Sequence, residues 1–141
     1  MENRNIIRTL INIMRQFRKT NYWVNEDGDI YKHWPERVKN QGSIYKGKKY
    51  ESFKTIPEQW KKLKPGKSTF YKKVQLMVNN NPVDFLVHRL VAECYLGPCP
   101  IGFEVDHIDN NPSNNHYTNL QYLTHTDNVK KAFISLPENS K

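Results

Sequence analysis

An acidic residue and a histidine stand side by side at Asp106-His107, and two asparagines follow at Asn119 and Asn128. An unperturbed imidazole titrates near ~6.5, so His107 can take a proton from water at neutral pH. Asp106 and Asn128 offer hard oxygen donors, which suit Mg2+ or Mn2+ rather than zinc. So few protein ligands leave coordination positions open to water and to a phosphate oxygen. A base that makes the nucleophile and a cation that stabilises charge on the phosphate and the leaving oxygen are what phosphodiester hydrolysis requires.

Those residues must be brought together by the elements around them. Phe103–His107 predicts a short strand, Leu120–Leu123 a second, and Thr124 opens a helix running to about residue 135. Its Thr124-His125-Thr126-Asp127 start resembles a capping box with Asp in place of Glu. Between the strands, Asp109–His116 is too rich in Asn and Pro to be anything but loop. A long structureless loop in a small chain usually carries function. Adjacent residues of a regular strand point to opposite faces. Asp106 and His107 are therefore expected to share a site only if the chain leaves regular geometry at His107. Asn119 is placed to hold that bend, because its amide can both donate to and accept from nearby backbone. Asp109 reads as an Asx turn, and His116 and His125 as solvated.

Upstream, residues 5–18 predict an amphipathic helix, with Ile6, Leu10, Ile13 (or Met14) and Phe17 on one face and Arg8, Arg15 and Arg18 elsewhere. Residues 22–31 predict a hairpin that turns at Asp27-Gly28. Residues 32–67 show little periodicity, and within them Ile56–Leu63 predicts a short helix with Pro57 in its first turn. Thr69–Val78 and Val83–Val87 predict strands joined by Asn79-Asn80-Asn81-Pro82. His88–Tyr95 predicts a short helix stopped by Gly97-Pro98, with His88 packing or capping.

The chain of 141 residues suits one compact domain. No apolar run approaches the roughly 20 residues of a membrane span. Arg8, Asn12, Arg15 and Gln16 interrupt the first apolar residues as no signal peptide would allow. A cytoplasmic location and no membrane partner are expected. Cys94 and Cys99 are too few for a disulfide framework and read as reduced structural thiols. The other reading is a zinc site completed by His88 or another imidazole.

The net charge is +8, with 18 Lys and Arg against 7 Asp and Glu in residues 1–75 and 4 against 7 in residues 76–141. Such asymmetry suggests a polyanion contacted by the first half. The plainer reading is a solubility surface, and charge alone does not separate DNA, RNA and acidic membrane. The candidate contact residues are Arg15, Arg18, Lys19, the cluster Lys61, Lys62, Lys64 and Lys67 beside Trp60, then Lys72, Lys73 and Arg89.

Taken together, Val87-His88-Arg89-Leu90-Val91-Ala92, Val105-Asp106-His107-Ile108-Asp109-Asn110, Asn114-Asn115, Thr118-Asn119-Leu120 and Asn128 resemble the ββα-metal (HNH) nuclease motif. They are especially similar to the HNH homing endonucleases of phage introns, whose small N-terminal hairpin module residues 22–31 also resemble. The resemblance covers about residues 22–31 and 69–131. It implies His107 as general base, Asn119 as the brace of its loop, and Asp106 and Asn128 as ligands of one Mg2+ or Mn2+. The last ligand is His in many HNH enzymes; Asn fits the homing-type branch. The implied substrate is double-stranded DNA, approached over the minor groove and cut to a 5′ phosphate and a 3′ hydroxyl.

The expected fold class is α+β: an HNH motif in the C-terminal half, with an N-terminal helix and small antiparallel strands. Residues 1–67 form the basic, DNA-contacting region and residues 68–141 the nuclease module, acting as monomer or homodimer in a phage-infected or bacterial cell. Many phage homing enzymes continue into helical DNA-binding repeats. This sequence ends at residue 141, so extended recognition is expected from the basic half or from dimerisation. The rival expectation is a catalytically inactive DNA-binding protein on the same fold. The intact set Asp106, His107, Asn119 and Asn128 speaks against it.

Overall fold

The computed structural model describes Thr9 and residues 13–67 and 70–134. The first half runs β1 (Arg15–Gln16), β2 (Tyr22–Val24), β3 (Ile30–Trp34), β4 (Arg37–Asn40), β5 (Ser43–Tyr45), β6 (Lys48–Tyr50), β7 (Phe53–Ile56) and β8 (Gln59–Lys62). Then follow β9 (Gly66–Lys67), β10 (Lys72–Val78), β11 (Asn81–Leu86), helix α1 (Val87–Leu96), β12 (Phe103–His107), β13 (Leu120–Thr124) and helix α2 (His125–Ile134). The strands make small antiparallel sheets: β1-β2-β3-β8, β11-β10-β9, and the pairs β12-β13, β4-β7 and β5-β6.

The core gathers on α1. Val87, Leu90, Val91 and Ala92 are buried with Val74 and Leu76 of β10, Leu120 of β13, and Phe17, Tyr22, Val24 and Ile30 of the first half. On β10 the pattern is strand alternation, Val74 and Leu76 inward and Gln75 and Met77 outward. Each large apolar side chain so buried contributes about 1.5–3 kcal/mol. Both halves of the chain are thereby tied to one helix.

One glycine fixes how the first hairpin docks. Gly28 has φ +87, and a Cβ there would lie 3.0 Å from Val87 Cγ1 and 3.2 Å from Asn115 Cβ. Only glycine adopts that φ freely and leaves that space. The turn also accepts a hydrogen bond at Glu26 O from the Tyr117 N–H, 3.0 Å. The hairpin thus presses on α1 and on the loop after β12.

Several expected elements differ. Of the helix expected over 5–18, residues 5–8 and 10–12 lie outside the described residues; Thr9 and Ile13 are helical, but Arg15–Gln16 is a strand paired with Trp23 and Val24. Arg18 and Lys19 then turn at φ +46 and +55, and Phe17 is 1% exposed, packed edge-on against Phe85 at 5.2 Å. Burial of one aromatic ring and a strand partner outweigh helical periodicity here. The short helix expected over Ile56–Leu63 is strand β8, since Gln59–Lys62 pairs with Tyr31–Trp34 and the Trp60 ring stacks on His33 at 4.1 Å. Pro57 precedes that strand rather than opening a helix. Residues 37–56, expected to be irregular, form a two-stranded ribbon of nested pairs, β4-β7 and β5-β6, nearly all exposed.

The strand expected over Thr69–Val78 begins at Lys72, and Thr69 lies outside the described residues. The strand expected over Val83–Val87 begins earlier, at Asn81. Asn79 and Asn80 alone make the turn, with φ +49 and +61, as a tight two-residue hairpin demands. Pro82 is tolerated because β11 is an edge strand.

Candidate active site

Strand β12 leads directly into the site. Its ladder with β13 is regular, Asp106 opposite Gln121 and His107 opposite Leu120. The expected departure from β geometry at His107 is therefore corrected: the chain turns only after it, where the Asn110 N–H meets His107 O at 3.0 Å and Asn110 has φ +60. Asp106 and His107 nevertheless line the same open cleft of about 300 Å3, together with Phe70, Tyr71, Asn110 and Asn128. Among the described residues β12 is paired on one edge only.

His107 is 6% exposed. Its Nε2 lies 2.8 Å from Oδ1 of the buried Asn115. An amide oxygen only accepts, so Nε2 is the donor in this contact. The ring lies 4.9 Å from His88 and 6.0 Å from Tyr71, centroid to centroid. Burial, with His107 and Arg89 adding to it, pushes His88 down to about 4, so that ring is neutral near pH 7.

Asp106, 8% exposed, accepts from Gln121 Nε2 at 2.9 Å and from Lys131 Nζ at 3.0 and 2.9 Å. The same ammonium donates to His107 O at 2.7 Å and to Asn110 Oδ1 at 2.6 Å. Two carboxylate oxygens, a carbonyl and an amide oxygen thus already surround a cationic nitrogen. Such hard oxygens fit a divalent cation. Asn128, in the second turn of α2, donates from Nδ2 to Glu104. Thr124 starts that helix, its Oγ1 accepting the Asp127 N–H at 3.2 Å.

Asn119 lies at the far end of the loop. Its Oδ1 accepts the Asp109 N–H at 3.1 Å, while Nδ2 donates to Asp109 Oδ1 and Asn114 O, both at 2.9 Å. Asp109 also accepts the Asn111 N–H at 2.8 Å, an Asx turn. The amides of Asn114 and Asn119 and the Asn111 N–H hold the Asp109 carboxyl down to about 2. Asn119 touches the loop, not the imidazole.

Asn115, Lys131, Gln121 and Glu104 carried no assigned role in the sequence. Glu104 had a signal, being two residues before Asp106 on one strand face. His116 Nδ1 caps the turn before β13 by accepting the Thr118 N–H. His125 is exposed, 3.6 Å from Glu104.

The candidate cationic residues do not form one free patch. Arg18 pairs with Glu93 at 3.1 Å, Lys62 with Asp29 at 3.3 Å and Lys73 with Asp84 at 2.9 Å. Arg15 stands over the Tyr95 ring at 5.7 Å, and Arg89 lines a second cleft with Arg18. Lys61 is on β8, Lys64 follows it, Lys67 is on β9 and Lys72 on β10, while Lys19 is in the turn after β1. Sequence reasoning missed the ribbon's own cations, Arg37, Lys39, Lys46, Lys48, Lys49 and Lys54. Burial raises the Cys94 thiol to about 11, and Cys99 is exposed. No group of three or more His, Cys, Asp or Glu is placed to hold a metal among the described residues.

Residues 85–130, the span from the end of β11 to the middle of α2, match the family model of the HNH endonucleases. The chain carries an HNH endonuclease module. It is 45% identical over 49 residues to a Bacillus subtilis (strain 168) protein named as an SPbeta prophage-derived HNH homing endonuclease, YosQ, covering 35% of this chain and 28% of that one. It is 35% identical over 94 residues to the DNA endonuclease I-HmuI of Bacillus phage SP01, covering 67% of this chain and 49% of that one. The solved structure described as DNA binding and cleavage by the HNH homing endonuclease I-HmuI superposes on 83% of this chain and 55% of its own, with a TM-score of 0.58 and 28% identity. The chain therefore spans about half or less of these relatives. No helix among the described residues is long and apolar enough to cross a membrane.

Proposed function

We propose that this chain is a metal-dependent DNA endonuclease of the homing type. The reading rests on one observation above all: Asp106, His107 and Asn128 line a single cleft, with the imidazole tautomer set by Asn115. In it, β12, β13 and α2 form a ββα-metal unit. Asp106 and Asn128 would hold one Mg2+ or Mn2+, which would supply charge stabilisation on the phosphate and the leaving oxygen.

His107 Nδ1 takes the proton from the attacking water, and the Nε2–H to Asn115 steadies the imidazolium that forms. Asn119 keeps the loop folded beneath that base. Tyr71 and the buried His88 wall the ring and limit its motion.

Double-stranded DNA is the proposed substrate, met by residues 1–67 while residues 68–141 carry the chemistry. The exposed ribbon over 37–56 supports this reading. A two-stranded ribbon is a shape the major groove admits, and its Lys and Arg side chains suit phosphates. Arg15, Lys19, Lys61, Lys64, Lys67, Lys72 and Arg89 would add salt-dependent affinity. Arg18, Lys62 and Lys73 would have to leave their ion pairs to do the same.

Supercoiled plasmid incubated with Mg2+, Mn2+ or EDTA tests the proposal. Conversion to nicked or linear DNA with either metal and none in EDTA is expected. Intact plasmid under every divalent cation, or equal cleavage in EDTA, would contradict it.

A further inference from the structure

Glu104 and Asp106 are two residues apart on β12 and so share one strand face. Helix α2 lies across that face and presents Asn128 and Lys131, one turn apart, which meet Glu104 and Asp106 respectively. The Glu104 carboxylate takes the Nδ2 end of the Asn128 amide. An ionised carboxylate has no proton to give, so it accepts only the NH2 end of an amide. The Asn128 oxygen is thereby turned away from Glu104. We propose that Glu104 is a positioning residue that selects which end of the Asn128 amide is offered to the cleft. The inference rests on the reading of Asn128 as a cation ligand.

The reason for needing such a device is specific to asparagine. An amide presents an oxygen and an NH2 group of nearly equal size, and only the oxygen binds a cation. A lone amide loses part of its affinity to the wrong orientation. A partner that accepts and never donates removes that degeneracy, as outer-shell partners do for ligating histidines. Gln121 plays the matching part for Asp106, donating to Oδ2 at 2.9 Å. His125 Nδ1, 3.6 Å from Glu104, is the nearby group on the solvent side.

A double-mutant cycle on Mn2+ binding tests this, read by electron paramagnetic resonance of free Mn2+ without DNA. Glu104→Ala is expected to weaken binding about tenfold, the low end for loss of an outer-shell partner. Glu104→Ala combined with Asn128→Ala is expected to bind within about twofold of Asn128→Ala alone, because the carboxylate acts through that amide. Glu104→Gln, which keeps the side-chain volume and one acceptor, should give a smaller loss and guards against misfolding. Parent-like affinity in Glu104→Ala overturns the inference. So do losses that simply add, which would mean that the carboxylate touches the cation itself. Parent-like affinity in Asn128→Ala overturns instead the assignment of Asn128 as a ligand.

Discussion

His107 and Asn115 are joined by a buried hydrogen bond of 2.8 Å, with 6% and 3% of their surfaces exposed. Asn115→Ala would strand the imidazole N–H away from water, at a cost of about 1–3 kcal/mol. It would also free the ring to adopt the other tautomer. We expect a lower melting temperature and at least tenfold slower cleavage under single-turnover conditions. Unchanged cleavage by a folded Asn115→Ala protein would show that the tautomer is set elsewhere.

The first hairpin buttresses the same residue. Gly28→Ala would place a methyl group 3.2 Å from Asn115 Cβ and 3.0 Å from Val87 Cγ1, at a φ of +87. The strain and overpacking should destabilise the fold by about 1–3 kcal/mol. Urea unfolding measures this, and a variant as stable as the parent would refute the docking described.

Acid sensitivity should have two windows. His88 is lowered from 6.5 to about 4 by burial first, then by His107 and Arg89. The unfolded chain binds that proton and the folded one resists it, so this stability is full above about pH 6.5 and lost as pH falls toward 4. Asp109, lowered from 3.8 to about 2 by its hydrogen bonds, contributes stability above about pH 4 that is lost only as pH falls toward 2. His88→Gln should flatten melting temperature between pH 6.5 and 4.5, while Asp109→Asn should leave that slope intact. The reverse pattern would contradict both assignments.

Lys131 sets a charge against the proposed cation. Its ammonium holds both Asp106 oxygens at 2.9–3.0 Å. A unit charge at contact is worth about 1 kcal/mol even at the dielectric of water. Lys131→Met should therefore tighten Mn2+ binding about fivefold, as measured by calorimetry. Weaker binding would mean that Lys131 helps to build the cation site rather than competing for it.

What could be read in advance followed from local chemistry. The Phe103–His107 strand, the loop after it and the helix starting at Thr124 each had a sequence signal in period, composition or cap. So did the Asx turn at Asp109. What was not legible came from pairing across distance. Trp60 is drawn into β8 by pairing with His33 of β3, far earlier in the chain, and no local propensity encodes that. The ribbon over 37–56 lacks a buried face, so it leaves no hydrophobic alternation to detect. Asn115 sits in a run of asparagines, and only folding shows which one meets the imidazole. That Asp106 and His107 line one cleft despite strand alternation is likewise a property of the fold and not of the dipeptide.

The most direct test of the whole account compares His107→Ala with the parent on one DNA substrate, measuring cleavage rate and binding side by side. Loss of the general base should slow cleavage by about 10²–10⁴-fold while DNA affinity stays within about twofold. Cleavage at the parent rate would contradict the account, however well the variant bound.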